Sequence, residues 1–69
     1  MEKVWIGYVP TKDDFDDIII DEFIDGKTRM GPWAIMSPSN FSLYGAGLGT
    51  GLGQRYKKQD NGNWLKVEG

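Results

Sequence analysis

Residues 54–67 read QRYKKQDNGNWLKV, and this stretch decides the fold that the sequence predicts. An Asn-Gly pair between two strand-like runs is the strongest short-range signal for a β-hairpin. A two-residue turn at Asn61-Gly62 predicts Tyr56–Val67 and Lys58–Leu65 pairs on one face, and Gln59–Trp64, Lys57–Lys66 and Arg55–Glu68 pairs on the other. The C-terminal part of the sequence is therefore expected to form an antiparallel hairpin with Tyr56, Leu65 and Val67 on its inward side.

Two further strands and a short helix are predicted upstream of this hairpin. Residues 4–9 (VWIGYV) are β-branched or aromatic on both faces, which favours a strand that is not an exposed edge and that ends at Pro10. Residues 32–36 (PWAIM) favour a second strand. Ser37 followed by Pro38 is typical of an N-cap with proline at the first helical position, so a short helix should run from there to Gly45.

Residues 12–25 have the pattern of an amphipathic helix. Thr11 suits the N-cap, with an acidic residue three positions later as in a capping box, and Gly26 suits the position that follows a helix. At 100° per residue, apolar and acidic side chains separate onto opposite halves of the helical wheel. The apolar half holds Phe15, Ile19, Ile20, Phe23 and Ile24, and the acidic stripe holds Asp14, Asp17, Asp21 and Asp25.

These elements predict one small α+β domain over residues 1–69. Its sheet would have three to four strands, largely antiparallel, packed against the helix at residues 12–25. A chain of 69 residues can build only a thin core. Strand order does not follow from the pattern.

Composition excludes most common catalytic chemistry. The sequence has neither cysteine nor histidine, so it offers no disulfide, no Cys/His zinc or iron–sulfur site, no cysteine nucleophile and no Ser-His-Asp triad. We therefore predict no catalytic, cofactor-binding or metal-binding residue. A small protein without disulfides is typical of a reducing compartment, here the cytoplasm. The longest apolar run, Ile18–Ile20, is far shorter than a membrane span of about 20 residues.

Glycine occupies every second position from residue 45 to residue 53, which are Gly45, Gly47, Gly49, Gly51 and Gly53. The spacing matches neither the G-x-G-x-x-G dinucleotide fingerprint nor the G-x-x-x-x-G-K-[ST] phosphate loop. The spacing has the period of a β-strand in which one face carries only glycine, so that an aromatic ring or another backbone can pack closely against that face. The alternative is a loop, either plain or ordered by a partner, because glycine costs roughly 0.5–1 kcal/mol more to order than alanine.

The acidic segment leaves two interpretations open. Residues 13–25 hold seven acidic residues and no basic one. A helical stripe does not wrap a calcium ion, and a solvated stripe offers no pocket that would separate the pKa values of two catalytic carboxylates. One interpretation is a solvated face that keeps the protein soluble. The other is a docking surface for a basic partner, formed by Asp14, Asp17, Asp21 and Asp25.

A second candidate surface is the basic hairpin, where cations alternate with aromatic residues. Proteins hold single-stranded nucleic acid in this way, by neutralising phosphates and stacking bases. The contact set would be Arg55, Tyr56, Lys57, Lys58 and Trp64. Four cations, including Lys66, are few for this role, and no RNP or K-homology signature is present, so a solvated hairpin face with Trp64 half in the core is the simpler interpretation.

The sequence thus predicts a non-enzymatic cytoplasmic module that binds another macromolecule, without a cofactor and without a membrane. The main hypothesis is docking of the acidic helix on a basic surface of a partner protein, as an accessory or inhibitory protein of a phage or mobile element would do to a host nucleic-acid enzyme. The first alternative is weak binding of single-stranded nucleic acid by the hairpin. The second is a self-associating structural subunit, because a thin core can be completed across an interface.

Overall fold

A four-stranded antiparallel sheet and one short helix form the structure of residues 2–69, the part of the chain that the computed structural model describes. In chain order the elements are β1 (Glu22–Lys27), β2 (Trp33–Met36), α1 (Pro38–Tyr44), β3 (Gly53–Lys58) and β4 (Trp64–Glu68). The strand order is β2-β1-β3-β4. The predicted α+β class, the antiparallel sheet and the C-terminal hairpin are confirmed.

β1 is a central strand whose two faces are both covered. Phe23 and Ile24 are adjacent, point to opposite faces and are fully buried. The Phe23 ring lies 5.2 Å from each of the rings of Trp5, Tyr56 and Trp64. On the opposite face Ile24 pairs with the buried Met36, and α1 contacts β1 and β2. The core therefore consists of an aromatic cluster on one face and an aliphatic cluster under α1 on the other.

The predicted helix over residues 12–25 is wrong. Residues 11–19 form a closed loop, called here the acidic loop, and Glu22–Lys27 form β1. Two causes act against a helix: acidic side chains of like sign repel one another at a spacing of four, and Asp13 uses its carboxylate to hold a turn instead. Gly26 lies inside β1 opposite Gly53, and does not end a helix.

The short helix and the strand before it agree with prediction. Ser37 caps α1, its Oγ accepting the backbone N–H of Asn40 at 3.3 Å, and Pro38 is the first helical residue. Gly45 follows the last helical residue and donates its N–H to the Phe41 carbonyl. β2 begins one residue later than predicted. No helix within residues 2–69 combines the length and apolarity needed to cross a bilayer.

The hairpin forms at the predicted place with a different register. Its loop has three residues, because the Gln59 N–H donates to the Asn63 carbonyl and Gly62 takes a φ of 88°. A three-residue loop with its last residue in the left-handed region is the second common hairpin type. The observed pairs are Lys58–Trp64, Lys57–Leu65, Tyr56–Lys66 and Arg55–Glu68. Only Arg55–Glu68 agrees with prediction, since an irregularity between Arg55 and Tyr56 restores that pair.

Both edges of the sheet carry additional backbone contacts. At β4, the Trp5 N–H donates to the Trp64 carbonyl and the Lys66 N–H donates to the Lys3 carbonyl, both at 2.8 Å. At β2, the Asp14 N–H donates to the Ile35 carbonyl and the Ile35 N–H donates to Asp14 Oδ2. The predicted strand over residues 4–9 is wrong, because only Val4 pairs, forming an isolated bridge to Leu65, and Ile6 is 93% exposed.

Candidate functional site

The acidic loop is closed by its own backbone. The Ile19 N–H donates to the Thr11 carbonyl at 2.8 Å, and Lys12 and Ile18 form an antiparallel bridge. Asp16 takes a φ of 67°, in the left-handed region that aspartate tolerates better than most residues. Buried Ile19 anchors the loop on the core. Residues that follow the loop, 20–22, are therefore held in a fixed position beside it.

Asp13 fastens this loop to the start of α1. Its Oδ1 accepts the N–H groups of Phe15 and Asp17, and its Oδ2 accepts the Ser37 N–H and the Asn40 side-chain amide, all at 2.8–2.9 Å. Burial raises the pKa of Asp13, but these four hydrogen bonds lower it by more, so that the net pKa lies below its usual value. Asp13 is therefore an ionised structural residue with no capacity left for a ligand.

Asp17 extends the same network towards the surface. Its Oδ2 accepts hydrogen bonds from the hydroxyls of Ser37 and Ser39, at 2.8 and 3.1 Å. These contacts fix the orientation of the carboxylate without neutralising its charge. Asp17 therefore presents a positioned negative charge at the point where the acidic loop meets α1.

An open groove of about 390 Å³ begins at this carboxylate. Its floor and walls combine three acidic and three apolar residues with two serines: Asp17, Ile18, Ile20, Asp21, Glu22, Ser37, Pro38 and Ser39. Ile18 and Ile20 are 63% and 78% exposed, and both line this groove, so that two of the large apolar side chains that the small core leaves at the surface belong to one site. We call this site the acidic groove.

The three carboxylates that line the groove differ in whether a cation already pairs with them. Glu22 Oε2 lies 2.5 Å from Arg55 Nη1, so Glu22 already has an ion-pair partner, which it shares with Glu68. Asp21 is exposed, and its carboxylate has no hydrogen-bond or ion-pair partner among the described residues. The Asp17 carboxylate accepts hydrogen bonds from hydroxyl and N–H groups only, so no cation in the described part of the chain compensates its charge. The groove thus presents two uncompensated carboxylates beside exposed aliphatic side chains, an arrangement that suits a positively charged ligand with an aliphatic part.

The four aspartates of the predicted stripe do not share one surface. Asp17 and Asp21 line the groove, while Asp14 accepts a hydrogen bond from the edge of β2. Asp25 lies in the centre of the sheet, between Ile35 and Gln54. Burial, and to a smaller extent the charge of Asp14, raise the pKa of Asp25. The structure therefore brings together half of the predicted set and adds Ile18 and Ile20, which the helical pattern had treated as parts of a helix.

The five residues proposed for nucleic-acid contact also lie on different surfaces. Arg55 pairs with Glu22 and Glu68, and its guanidinium lies 5.7 Å from the centre of the Phe41 ring. Tyr56 points to the opposite face, where its ring stacks on Phe23. The exposed lysines are divided in the same way, with Lys57 on the face of Arg55 and Lys58 on the face of Trp64 and Tyr56.

The glycine segment is a loop that reaches β3 only at Gly53. A Cβ on Gly45 would overlap the Phe41 ring, and one on Gly53 would lie 2.9 Å from the Gly47 carbonyl oxygen. Between them Gly47, Gly49 and Gly51 all have positive φ. Close packing thus explains the glycines at the two ends of the run, and positive φ explains those in its middle. The spacing of every second residue therefore does not reflect a strand.

Only one feature of the sequence indicates the groove. Its signal is the run Ile18-Ile19-Ile20, in which the middle residue is buried and its two neighbours are exposed, the alternation of an extended segment. Among residues 2–69 no three acidic side chains come together as a metal site. No family model, curated protein or solved structure matches the chain, so the assignment of the groove rests on its own geometry.

Proposed function

We propose that this protein is a non-enzymatic binding module whose acidic groove holds a basic and aliphatic segment of another macromolecule. The observation that carries the proposal is the exposure of Ile18 and Ile20 between the uncompensated carboxylates of Asp17 and Asp21. Exposed aliphatic side chains in a concave site are typical of interaction surfaces. We place this activity in the cytoplasm, in keeping with a chain that contains no cysteine.

Hydrogen bonds between the elements that line the groove support a binding role. The start of α1 with its cap Ser37 lines one part of the groove, and the end of the acidic loop with residues 20–22 lines the rest, and Asp13 and Asp17 join the loop to α1 through Ser37. A pre-formed site loses less conformational entropy when a ligand binds than a flexible one. The hydrogen bonds around Asp17 also hold its carboxylate in place, so that a cationic side chain would meet a positioned acceptor.

The acidic groove has better support than the basic hairpin as the functional surface. Binding of single-stranded nucleic acid needs cations and aromatic rings on one accessible surface. In the hairpin, Arg55 is engaged with two carboxylates, and Tyr56 packs against Phe23. We therefore propose a protein or peptide as the ligand.

The proposal is tested with a pentapeptide of alternating lysine and leucine and with its glutamate–leucine counterpart. In ¹⁵N-labelled protein, we expect the basic peptide to shift the amide resonances of Ile18, Ile20, Asp21 and Ser39, and the acidic peptide to shift none of them. Asp21→Asn should weaken binding about 1.4- to fivefold, because a solvent-exposed ion pair contributes roughly 0.2–1 kcal/mol. Ile20→Ser should weaken it through lost apolar contact.

The matched control is Asp60→Asn, which removes the same charge from an exposed position in the hairpin loop. It should bind the basic peptide as the unmodified protein does. Equal weakening by Asp21→Asn and Asp60→Asn would show that only net charge matters and would refute the proposal. So would resonance shifts centred on the hairpin.

A further inference from the structure

The end of β1 opposite the acidic groove carries a positively charged surface. The turn between β1 and β2, residues 28–32, is closed by buried Thr28, whose N–H and hydroxyl both donate to the Pro32 carbonyl, at 2.9 and 2.7 Å. Met30 lies in this turn and is 67% exposed. We call residues 27–32 the basic tip, because Lys27 and Arg29 precede this methionine in the sequence.

The two cations of the tip are exposed and uncompensated. Neither Lys27 nor Arg29 takes part in any of the three salt bridges of the described residues. Arg29 Nε donates to the Gly45 carbonyl at 3.1 Å, which orients the guanidinium, and its terminal nitrogens have no acceptor within residues 2–69. The tip is therefore a rigid, positively charged turn with an aliphatic thioether, and the groove is a rigid, negatively charged cleft with two exposed isoleucines.

Their placement makes binding within one molecule impossible. Glu22, the first residue of β1, lines the groove, and Lys27, the last, belongs to the tip. A strand of six residues separates its ends by about 17 Å, at about 3.3 Å per residue. One molecule cannot fill its own groove, but each presents both halves of a complementary pair.

We propose that the acidic groove takes the basic tip of a second copy of this chain. Met30 of one molecule would lie against Ile18 and Ile20 of the next, with Lys27 and Arg29 near Asp17 and Asp21. Such a head-to-tail contact is heterologous, so it forms a closed ring or an open chain according to the rotation between copies. The inference rests on the proposed function, since it names the partner of the same groove.

Sedimentation of the full chain tests the inference, with two variants that each damage one half of the contact. The unmodified protein should associate as its concentration rises, and added salt should weaken that association. Asp21→Lys damages the groove and Met30→Asp damages the tip, and each alone should raise the dissociation constant about tenfold or more, through like charges at the contact. Both side chains are exposed, so both variants should fold, which circular dichroism would verify.

Mixing the variants gives the decisive result. Asp21→Lys keeps an intact tip and Met30→Asp keeps an intact groove, so an equimolar mixture should form a one-to-one dimer that grows no further. Asp60→Lys, with the same charge change in the hairpin loop, should associate normally. A mixture that stays monomeric, or single variants that associate like the unmodified protein, would overturn the inference. A protein that remains monomeric but binds the lysine–leucine peptide would overturn it while leaving the proposed function intact.

Discussion

The carboxylate of Asp13 accepts the backbone N–H of Ser37 at 2.8 Å, across 24 positions of sequence. This bond joins the acidic loop to the residue that caps α1, beside the groove. Within the acidic loop, Asp13 thus serves as an acceptor for backbone N–H groups of the loop and of the α1 cap.

Asp13→Asn should destabilise the protein by about 2 kcal/mol, measured by urea unfolding at pH 7. The asparagine amide has only one acceptor oxygen, so its NH₂ group would face N–H donors whose hydrogen bonds the aspartate carboxylate accepts. A buried donor left without a partner costs about 1–3 kcal/mol. Asp16→Asn is the matched control in the same loop. Asp16 is exposed and pairs only with Lys12 at the surface, so that variant should change the free energy of unfolding by less than about 0.5 kcal/mol. Similar losses in both variants would argue against the role of Asp13.

The pH dependence of stability should have opposite signs at Asp13 and Asp25. The pKa of Asp13 is lowered in the folded state, so its stabilisation is complete above the unfolded-state pKa, near 3.9, and is lost as the pH falls through the folded-state pKa. The pKa of Asp25 is raised by burial, so ionisation of Asp25 destabilises the folded state as the pH rises from the unfolded-state pKa through the higher folded-state pKa.

Asp25→Asn should therefore be more stable than the unmodified protein at pH 7 and equally stable at about pH 3, below the unfolded-state pKa of aspartate near 3.9. Urea unfolding at both pH values measures the difference. The cost of Asp13→Asn should shrink over the same change in pH. Asp60→Asn, at an exposed position, serves as the control. An Asp25→Asn variant that is less stable at pH 7 than at pH 3, relative to the unmodified protein, would contradict the assignment.

Arg55→Met should lower the free energy of unfolding by about 1–3 kcal/mol, because it leaves the half-buried Glu22 carboxylate without its cation. Lys57→Met changes an exposed lysine two residues along β3 and should have an effect within about 0.5 kcal/mol. Adding Glu22→Gln to Arg55→Met should cost less than the sum of the two single variants, since the groups are in contact. Strict additivity would show that the Arg55–Glu22 ion pair contributes nothing to the free energy of unfolding.

Gly45→Ala should destabilise the protein by about 1–3 kcal/mol, the range for overpacking, because the added methyl group would overlap the Phe41 ring. The methyl group would also lie 2.8 Å from the Phe41 carbonyl oxygen, so the ring cannot absorb the whole clash. Thermal unfolding of Gly45→Ala, Phe41→Leu and the double variant measures the coupling. We expect the double variant to lose less than the sum, and a Gly45→Ala variant with unchanged melting temperature would refute the packing argument.

The parts of the fold that the sequence predicts well are those with specific local chemistry. Ser37 and Pro38 define the start of α1, and Gly45 its end, because capping and the fixed φ of proline act within a few residues. Asn61-Gly62 places the hairpin correctly. Its register depends on whether the loop has two or three residues, and Gly62 is compatible with either, so the pairing could not follow from the pair alone.

The helix predicted for residues 12–25 is wrong because β1 is buried on both faces and so lacks the sequence pattern of a strand. Phe23 and Ile24 are both buried, so β1 lacks the alternation of apolar and polar residues that marks a half-buried strand. What covers them is distant in sequence: Trp5 and Tyr56 on one side, and Met36 with α1 on the other. The groove depends on the same tertiary contacts, and only its carboxylates Asp17 and Asp21 were identifiable from the sequence.

The contact between residues 3–5 and β4 determines when this fold can be completed during translation. Val4 and Leu65 are about sixty positions apart, and contacts of such separation form slowly because a long loop must close first. Trp64 accepts the Trp5 N–H and its own ring packs on Phe23, so the aromatic cluster is complete only when β4 has left the ribosome and paired with β3. A nascent chain that has reached only residue 60 therefore exposes its aromatic cluster, and this is the stage at which a chaperone would find an apolar surface to bind.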